Sequence, residues 1–471
     1  MRARTVNGRE IDLPQHVFDG WKARLRGPVL APGDVGYEES RTVWNGMIDR
    51  RPAMVARCVG IADAIECVRF AREHDLLLCI KGGGHNIAGL AVADGALMLD
   101  MSLMRGVWVD ANRRVARAQA GCVLGDLDRE TQLHGLATVL GFISLTGVAG
   151  LTLGGGIGYL TRRWGWTADN VVGMDVVTSD GELVRASGDE NADLFWGLRG
   201  GGGNFGVVTG IEYVLHRVGP EIVGGAVAWP ASEASAVLDL YATLAEQAPP
   251  ELTLVALMRP APPAPWLPKE RHGTPIVTLL ACHTGNPDEG EKAVAPIKSF
   301  GKPIGDVLIR RTYVQMQSLL DATQPKGRRY YWKSEYLPRI EPALSDQVVE
   351  HAARIRSPHS AIALFQMGGA LNDLGPDHSP VGNRDARYLL TITGSWERPD
   401  DDQANIDWVR GAWSDMKRFS TGGTYINFLT EDDGAERMEA ALGGSLRELS
   451  RIKARWDPQN FFRTNRNIQP A

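Results

Sequence analysis

At 471 residues with 44% apolar content, the chain has material for two or three domains with packed cores and is not a mainly disordered polymer. A net charge of −5 and a pI of about 6.1 leave no Lys/Arg excess for neutralising phosphates, which argues against a nucleic-acid binder. The cysteines, Cys58, Cys67, Cys79, Cys122 and Cys282, are odd in number and form no C-x-x-C pair, so neither a disulfide framework nor a zinc site is indicated.

In chain order, Met1 to Leu13 is charged throughout and lacks an apolar leader core. No apolar run reaches the ~18 residues a membrane helix needs, and a cytoplasmic protein without membrane partners is expected. Met54 to Cys58 reads as a strand, followed by a helix capped by Asp63 with Ile65, Val68 and Phe70 on its apolar side. Leu76 to Ile80 is a buried strand that runs into Lys81-Gly82-Gly83-Gly84-His85-Asn86. Leu97 to Asp100 is a further strand. Val107–Val109 and Val115–Ala118 flank a hairpin turn, and Leu124–Leu136 fits an amphipathic helix. Val171–Val177 is a strand, with Asp180-Gly181 as a turn before Leu183-Val184, and another strand begins at Val207. Character changes near residue 218. Helices are expected over about 232–247 and 344–356, strands at Ile276–Leu280 and Arg387–Ile392, and a loop at the proline cluster 260–268. Arg447–Trp456 reads as a charged helix stopped by Asp457-Pro458, before an extended tail.

Three glycine runs carry the chemistry: 82–84, 154–158 and 200–203. Glycine lets backbone approach a ligand closely and aim its N–H groups at an anion. His85 adds a side chain that is a neutral nucleophile near pH 7. The run at 154–158 is not a dinucleotide fingerprint, because aligning Gly156 and Gly158 puts Thr161 at the final glycine position. No G-x-x-x-x-G-K-[ST] loop occurs, and His74, His134, His216, His272 and His351 have no metal spacing, so no metal site is expected.

Together, Lys81 to Asn86, Gly121-Cys122, Thr146 to Gly158, Asp169-Asn170, Asp193 to Gly200 and Asn204 to Thr209 resemble the FAD domain of the vanillyl-alcohol-oxidase superfamily. Asp457 to Phe462 with Asn465-Arg466-Asn467-Ile468 resembles the closing segment of its berberine-bridge-enzyme-like branch. The resemblance implies an α+β fold: a two-subdomain PCMH-type FAD-binding domain over 1–218, a substrate domain with a large antiparallel sheet covered by helices over 219–423, and a C-terminal segment, 424–471, returning to the first domain. It implies FAD linked covalently through His85 to the flavin 8α-methyl. Lys81, Gly82, Gly83, Gly84, Asn86, Gly89, Gly121, Ser144, Thr146, Gly147, Val148, Gly150, Leu151, Gly154, Gly155, Gly156, Gly158, Tyr159, Asp169, Asn170, Gly206, Val207, Val208, Tyr425, Asn427, Asn465 and Asn467 would hold that cofactor.

Doubly linked relatives carry a cysteine where this chain has Ile143, so a single bond is implied. Many oxidases of the branch use the second tyrosine of Tyr-x-Asn-Tyr as base, whereas this chain reads Tyr425-Ile426-Asn427-Phe428. The stretch 361–367, where some relatives carry an acid, has none. Tyr425, Gln366, Asn383 and Arg384 are the catalytic candidates, with His378 and Glu335 as further polar groups. Arg384 is expected to meet an anionic substrate or the reduced flavin's charge. The implied activity is oxidation of an alcohol or activated C–H carbon of a small molecule, such as a secondary metabolite or glycoside, with O2 as acceptor. A flavin-dependent oxygenase acting on a polyketide-type substrate and a redox-silent cyclase keeping FAD as scaffold are the alternatives.

Overall fold

The computed structural model describes all 471 residues. Its first sheet has four strands. Met54–Arg57 and Leu78–Lys81 both run parallel to Leu97–Asp100 between them, and Val29–Leu30 pairs antiparallel at the edge. Every residue of Leu97–Asp100 is buried, as a parallel strand covered on both faces should be. The crossover is the helix Ile61–Glu73, which begins after Gly60. Asp63, read from sequence as the cap, sits inside the first turn. Its carboxylate accepts from the amides of Val59, Arg26 and Gly27, so it clamps an N-terminal loop to the helix start.

The second sheet is antiparallel, in the order Leu183–Ser187, Val171–Val177, Val207–Val214, Val115–Gln119, Val107–Asp110. Both hairpins expected from turn residues are present. The helix expected to reach Leu136 is Leu124–Gln132, with Gly135 at φ +62° just beyond it. Glycine takes that left-handed geometry without the penalty other residues meet.

Residue 218 lies between the short strand His216–Arg217 and the strand Glu221–Pro230, which enters a third sheet. That sheet is antiparallel and runs Gly305–Asp306, Glu221–Pro230, Pro275–His283, Leu252–Pro260, Ala361–Gln366, Tyr388–Trp396, Arg329–Leu337, with Ile309–Thr312 also paired to Glu221–Pro230. Its strands alternate with period two. Leu254, Ala256, Met258, Ile362, Leu364, Leu390 and Ile392 join one core with Val237, Leu238 and Tyr241 of the helix Ala234–Gln247, Leu344 and Val348 of Pro342–Ala352, and Val409 and Ala412 of Asp402–Met416. The opposite face looks back towards the first two sheets.

The C-terminal helix Leu446–Trp456 packs on the first half of the molecule, where Leu449, Ile452, Phe461, Phe462 and Ile468 enter the core shared by its two sheets. A buried ion pair locks this return. Lys453 Nζ lies 2.7 Å from Asp457, both side chains are 0% exposed, and the ammonium also donates to the carbonyls of Asn204 and Phe462. Asp457 in turn accepts from the amides of Phe461 and Phe462. Removing one partner of a buried pair strands the other charge, at about 3–5 kcal/mol. Asp457→Ala is therefore expected to lower stability by that amount in a denaturant melt. A midpoint equal to the wild type's would show that the pair does not hold the segment in place.

Candidate functional site

A cavity of about 380 Å³ lies where the first two sheets, the inward face of the third and the C-terminal segment meet. Its floor is glycine backbone. A Cβ placed on Gly83 would stand 2.5 Å from the Gly147 nitrogen, and one on Gly147 would stand 2.5 Å from the Gly83 nitrogen, so the two loops touch back to back. Gly84 takes φ +66° and turns the chain beneath the cavity. The amides from Gly82 to Asn86 make no hydrogen bond within the chain. Unspent donors beside a glycine cradle form an anion site.

His85 follows this loop. Its ring stacks on Trp44, with centroids 4.5 Å apart and 19° between planes, and Trp44 stacks in turn on Tyr330. Its Nε2 is buried with no partner. Burial pulls the imidazole down to about 4, so it is neutral at physiological pH and keeps a lone pair for bonding. Trp44 had no signal in the sequence, because nothing in its neighbourhood marks it as a wall of this site.

Of the expected cofactor residues, Gly82, Gly83, Gly84, His85, Asn86, Thr146, Gly147, Gly150, Leu151, Gly154, Gly206, Val207, Val208, Tyr425, Asn427 and Asn465 line the cavity. Others shape it from behind. Lys81 donates to the Ser40 carbonyl and lies 3.6 Å from Asp100. Gly121 and Gly158 press on the carbonyls of Met101 and Leu140, and Gly156 presses on Thr167. Gly89 and Gly155 have positive φ. Val148 and Tyr159 are core residues. Ser144 is bound through its amide and hydroxyl to Asp321. Asn170 donates to the carbonyls of Trp164 and Trp166. Asn467 keeps a buried, unpartnered Oδ1 away from the cavity.

Three catalytic expectations require correction. Gln366 is consumed structurally: its Oε1 accepts from the Leu254 amide and its Nε2 donates to the Ala245 carbonyl. Asn383 takes φ +58° and donates to the Ala440 carbonyl. Arg384 is buried in a two-pronged ion pair with Asp169 at 2.7 and 3.0 Å and also donates to Ser379, so neither substrate nor flavin is its partner. None of the three lines the cavity. Glu335 is likewise held by Trp413, Ser420 and Arg437, and His378 faces Arg199 and Asp169.

Tyr425 does line it. Its hydroxyl accepts from the Gly156 amide at 3.1 Å and from Asn427 Nδ2 at 2.9 Å, yet burial outweighs these bonds and pushes the phenol up to about 12. Phe428 lies edge-on to both Tyr425 and Trp332. The far wall is the third sheet: Leu257 and Arg259, Ala361, Ala363 and Phe365, Thr391 and Thr393, and Trp332. Each set recurs at every second residue, a signal that strand periodicity carries once one knows which face is dry. No aspartate or glutamate lines the cavity.

The apposed glycines, unspent amides and unpartnered His85 fit FAD. Two family models match the chain, the FAD binding domain over residues 52–187 and the berberine and berberine-like domain over 424–469. A FAD-linked oxidoreductase of Dictyostelium discoideum is 30% identical over 455 residues, covering 95% of each chain. The (R)-6-hydroxynicotine oxidase of Paenarthrobacter nicotinovorans is 27% identical, over 95% of this chain and 97% of its own. The crystal structure of 6-hydroxy-D-nicotine oxidase from Arthrobacter nicotinovorans superposes with a TM-score of 0.85 at 26% identity, covering 98% of this chain and all of the other. No helix is long and apolar enough to cross a membrane.

The apposed glycines supply a direct test. Gly83→Ala forces a methyl into the Gly147 backbone, and overpacking of this kind costs roughly 1–3 kcal/mol. The variant is expected to melt lower and to retain less flavin than wild type, measured by thermal denaturation and visible absorbance. Full flavin content would show that the loops separate freely.

Proposed function

Because this chain belongs to the berberine-bridge-enzyme-like branch of the FAD-linked oxidoreductases, we propose that it oxidises an alcohol or activated C–H carbon of a small molecule with O2 as acceptor, using FAD bonded to His85. The observation that carries this reading is the neutral, unpartnered imidazole of His85 beside a loop of free amides. A single bond is supported by the second linkage position: Ile143 lines the cavity, while Cys122 is buried outside it with its thiol directed at the Gly106 carbonyl.

When bound, the isoalloxazine supplies the redox chemistry. The protein supplies the rest. The 82–86 amides would hold an anionic part of the cofactor, and the stack of Tyr330, Trp44 and His85 would fix the attachment point. The apolar wall excludes water, which strengthens every polar contact inside. Tyr425, with its phenol held protonated, orients through hydrogen bonds and does not take up protons. His359 lines the cavity, is shifted below the ordinary imidazole value by burial and by nearby Arg328, and has Nε2 3.1 Å from Glu397. With the Nε2 proton directed to that carboxylate, Nδ1 is left to accept the substrate proton. We therefore propose His359 as the base, in place of the branch's missing second tyrosine.

Three measurements test the reading. Wild-type flavin is expected to stay with the polypeptide through acid precipitation and to be released from His85→Ala; release from wild type sinks the covalent bond. In stopped flow, His359→Gln is expected to slow flavin reduction by roughly 10²–10⁴-fold, the usual worth of a general base. Tyr425→Phe is expected to stay within a few-fold while melting lower, since it strands the Gly156 amide, and the opposite pattern would return the base to Tyr425. Oxygen uptake with matching peroxide marks an oxidase. Oxygen retained in the product marks an oxygenase, and turnover without uptake marks a cyclase.

A further inference from the structure

The third sheet aims one cation into the cavity without a counter-ion. Arg259 is the penultimate residue of the strand Leu252–Pro260, and its side chain lies on the cavity face two positions beyond Leu257. Its Nε donates to the Pro260 carbonyl at 3.2 Å. The two terminal nitrogens have no acceptor in the chain, and no carboxylate lies within 4 Å of the guanidinium. Other enclosed arginines are spent on the protein: Arg384 on Asp169, Arg162 on backbone carbonyls, Arg466 on the carbonyls of Leu429 and Thr430. Burial and the neighbouring charge of Arg328 bring Arg259 down to about 10, still charged at neutral pH. A half-buried guanidinium that faces a cavity with its terminal nitrogens unpaired is open to a partner of opposite charge.

The surroundings describe what that partner is attached to. On the same sheet wall as Arg259 lie Leu257, Ala361, Ala363, Phe365 and Trp332, Phe428 also lines the cavity, and no acid competes for the guanidinium. Resting on the assignment of this cavity as the substrate site, we propose that Arg259 is a specificity-determining residue that binds a carboxylate of the substrate, and that the substrate class is a flat or aromatic organic acid. The planar fork of arginine matches a carboxylate with two parallel hydrogen bonds. The carboxylate fixes one end of the molecule at the end of this strand while the apolar body lies along the wall.

Titration calorimetry of the flavin-loaded protein with benzoate and with benzamide tests this without turnover, so its outcome is separate from whether the enzyme is an oxidase or whether the flavin is covalent. Benzoate is expected to bind at least about tenfold more tightly than benzamide. Arg259→Gln is expected to weaken benzoate roughly 10- to 100-fold, the worth of hydrogen bonds to a charged group, and to leave benzamide unchanged. Arg259→Lys, which keeps the charge and loses the fork, should fall between. Equal binding of the two probes to wild type, no benzoate binding, or unchanged benzoate binding by Arg259→Gln overturns the proposal. If Arg259→Gln fails to fold, the wild-type pair and Arg259→Lys decide, since a lysine variant equal to wild type removes the bidentate contact.

Discussion

The cavity depends on the contact between Gly83 and Gly147. Two loops, one after the strand Leu78–Lys81 and one before the helix Val148–Leu153, approach until each leaves no room for a Cβ on the other. Any side chain there would prop the loops apart and fill the cavity floor. The approach also explains why the amides after Gly82 remain unbonded: the loop is held by packing against another backbone, so its donors are left for a ligand. Holding such a loop has a price in conformational entropy, and the four-stranded sheet at one end and the helix Val148–Leu153 at the other supply the constraint.

Dryness then sets the chemistry. His85 and Tyr425 face the same cavity, and desolvation moves both towards their neutral forms, the imidazole downward and the phenol upward. The consequences diverge. Neutral imidazole is a nucleophile, whereas neutral phenol is a donor and a poor base. One environment thus suits His85 to attachment and unsuits Tyr425 to proton removal, and Phe428 lowers the polarity further. A tyrosinate base requires nearby positive charge or strong donors to offset burial; here Tyr425 receives two neutral hydrogen bonds, which are insufficient.

Much of this was legible in the sequence. The glycine runs, His85 and the Asp457 segment are local features whose spacing survives folding. Strands such as Val171–Val177 follow from β-branched runs bounded by turns. What failed was the meaning of polar residues distant from those runs. Arg384 and Gln366 look like site residues because polar groups near an expected cleft invite that reading, but their partners, Asp169 and the Leu254 and Ala245 backbone, are more than a hundred residues away in sequence. Trp44 is hidden in the same way: it belongs to none of the quoted motifs, and it meets His85 only through tertiary packing.

The distribution of charge across the cavity is the remaining constraint. No carboxylate lines it, while Arg259 and Arg466 do, and Arg328 lies close enough to act on Arg259 and His359. In a low-dielectric enclosure a one-signed lining acts over the whole cavity, since little water screens it. Such a lining favours any species that gains negative charge there and opposes cations. Arg466 spends donors on the carbonyls of Leu429 and Thr430, which leaves Arg259 as the cation whose positive charge has no protein partner. Charge is thus concentrated at the third-sheet wall and close backbone packing at the glycine floor, so the two features rest on different parts of the fold.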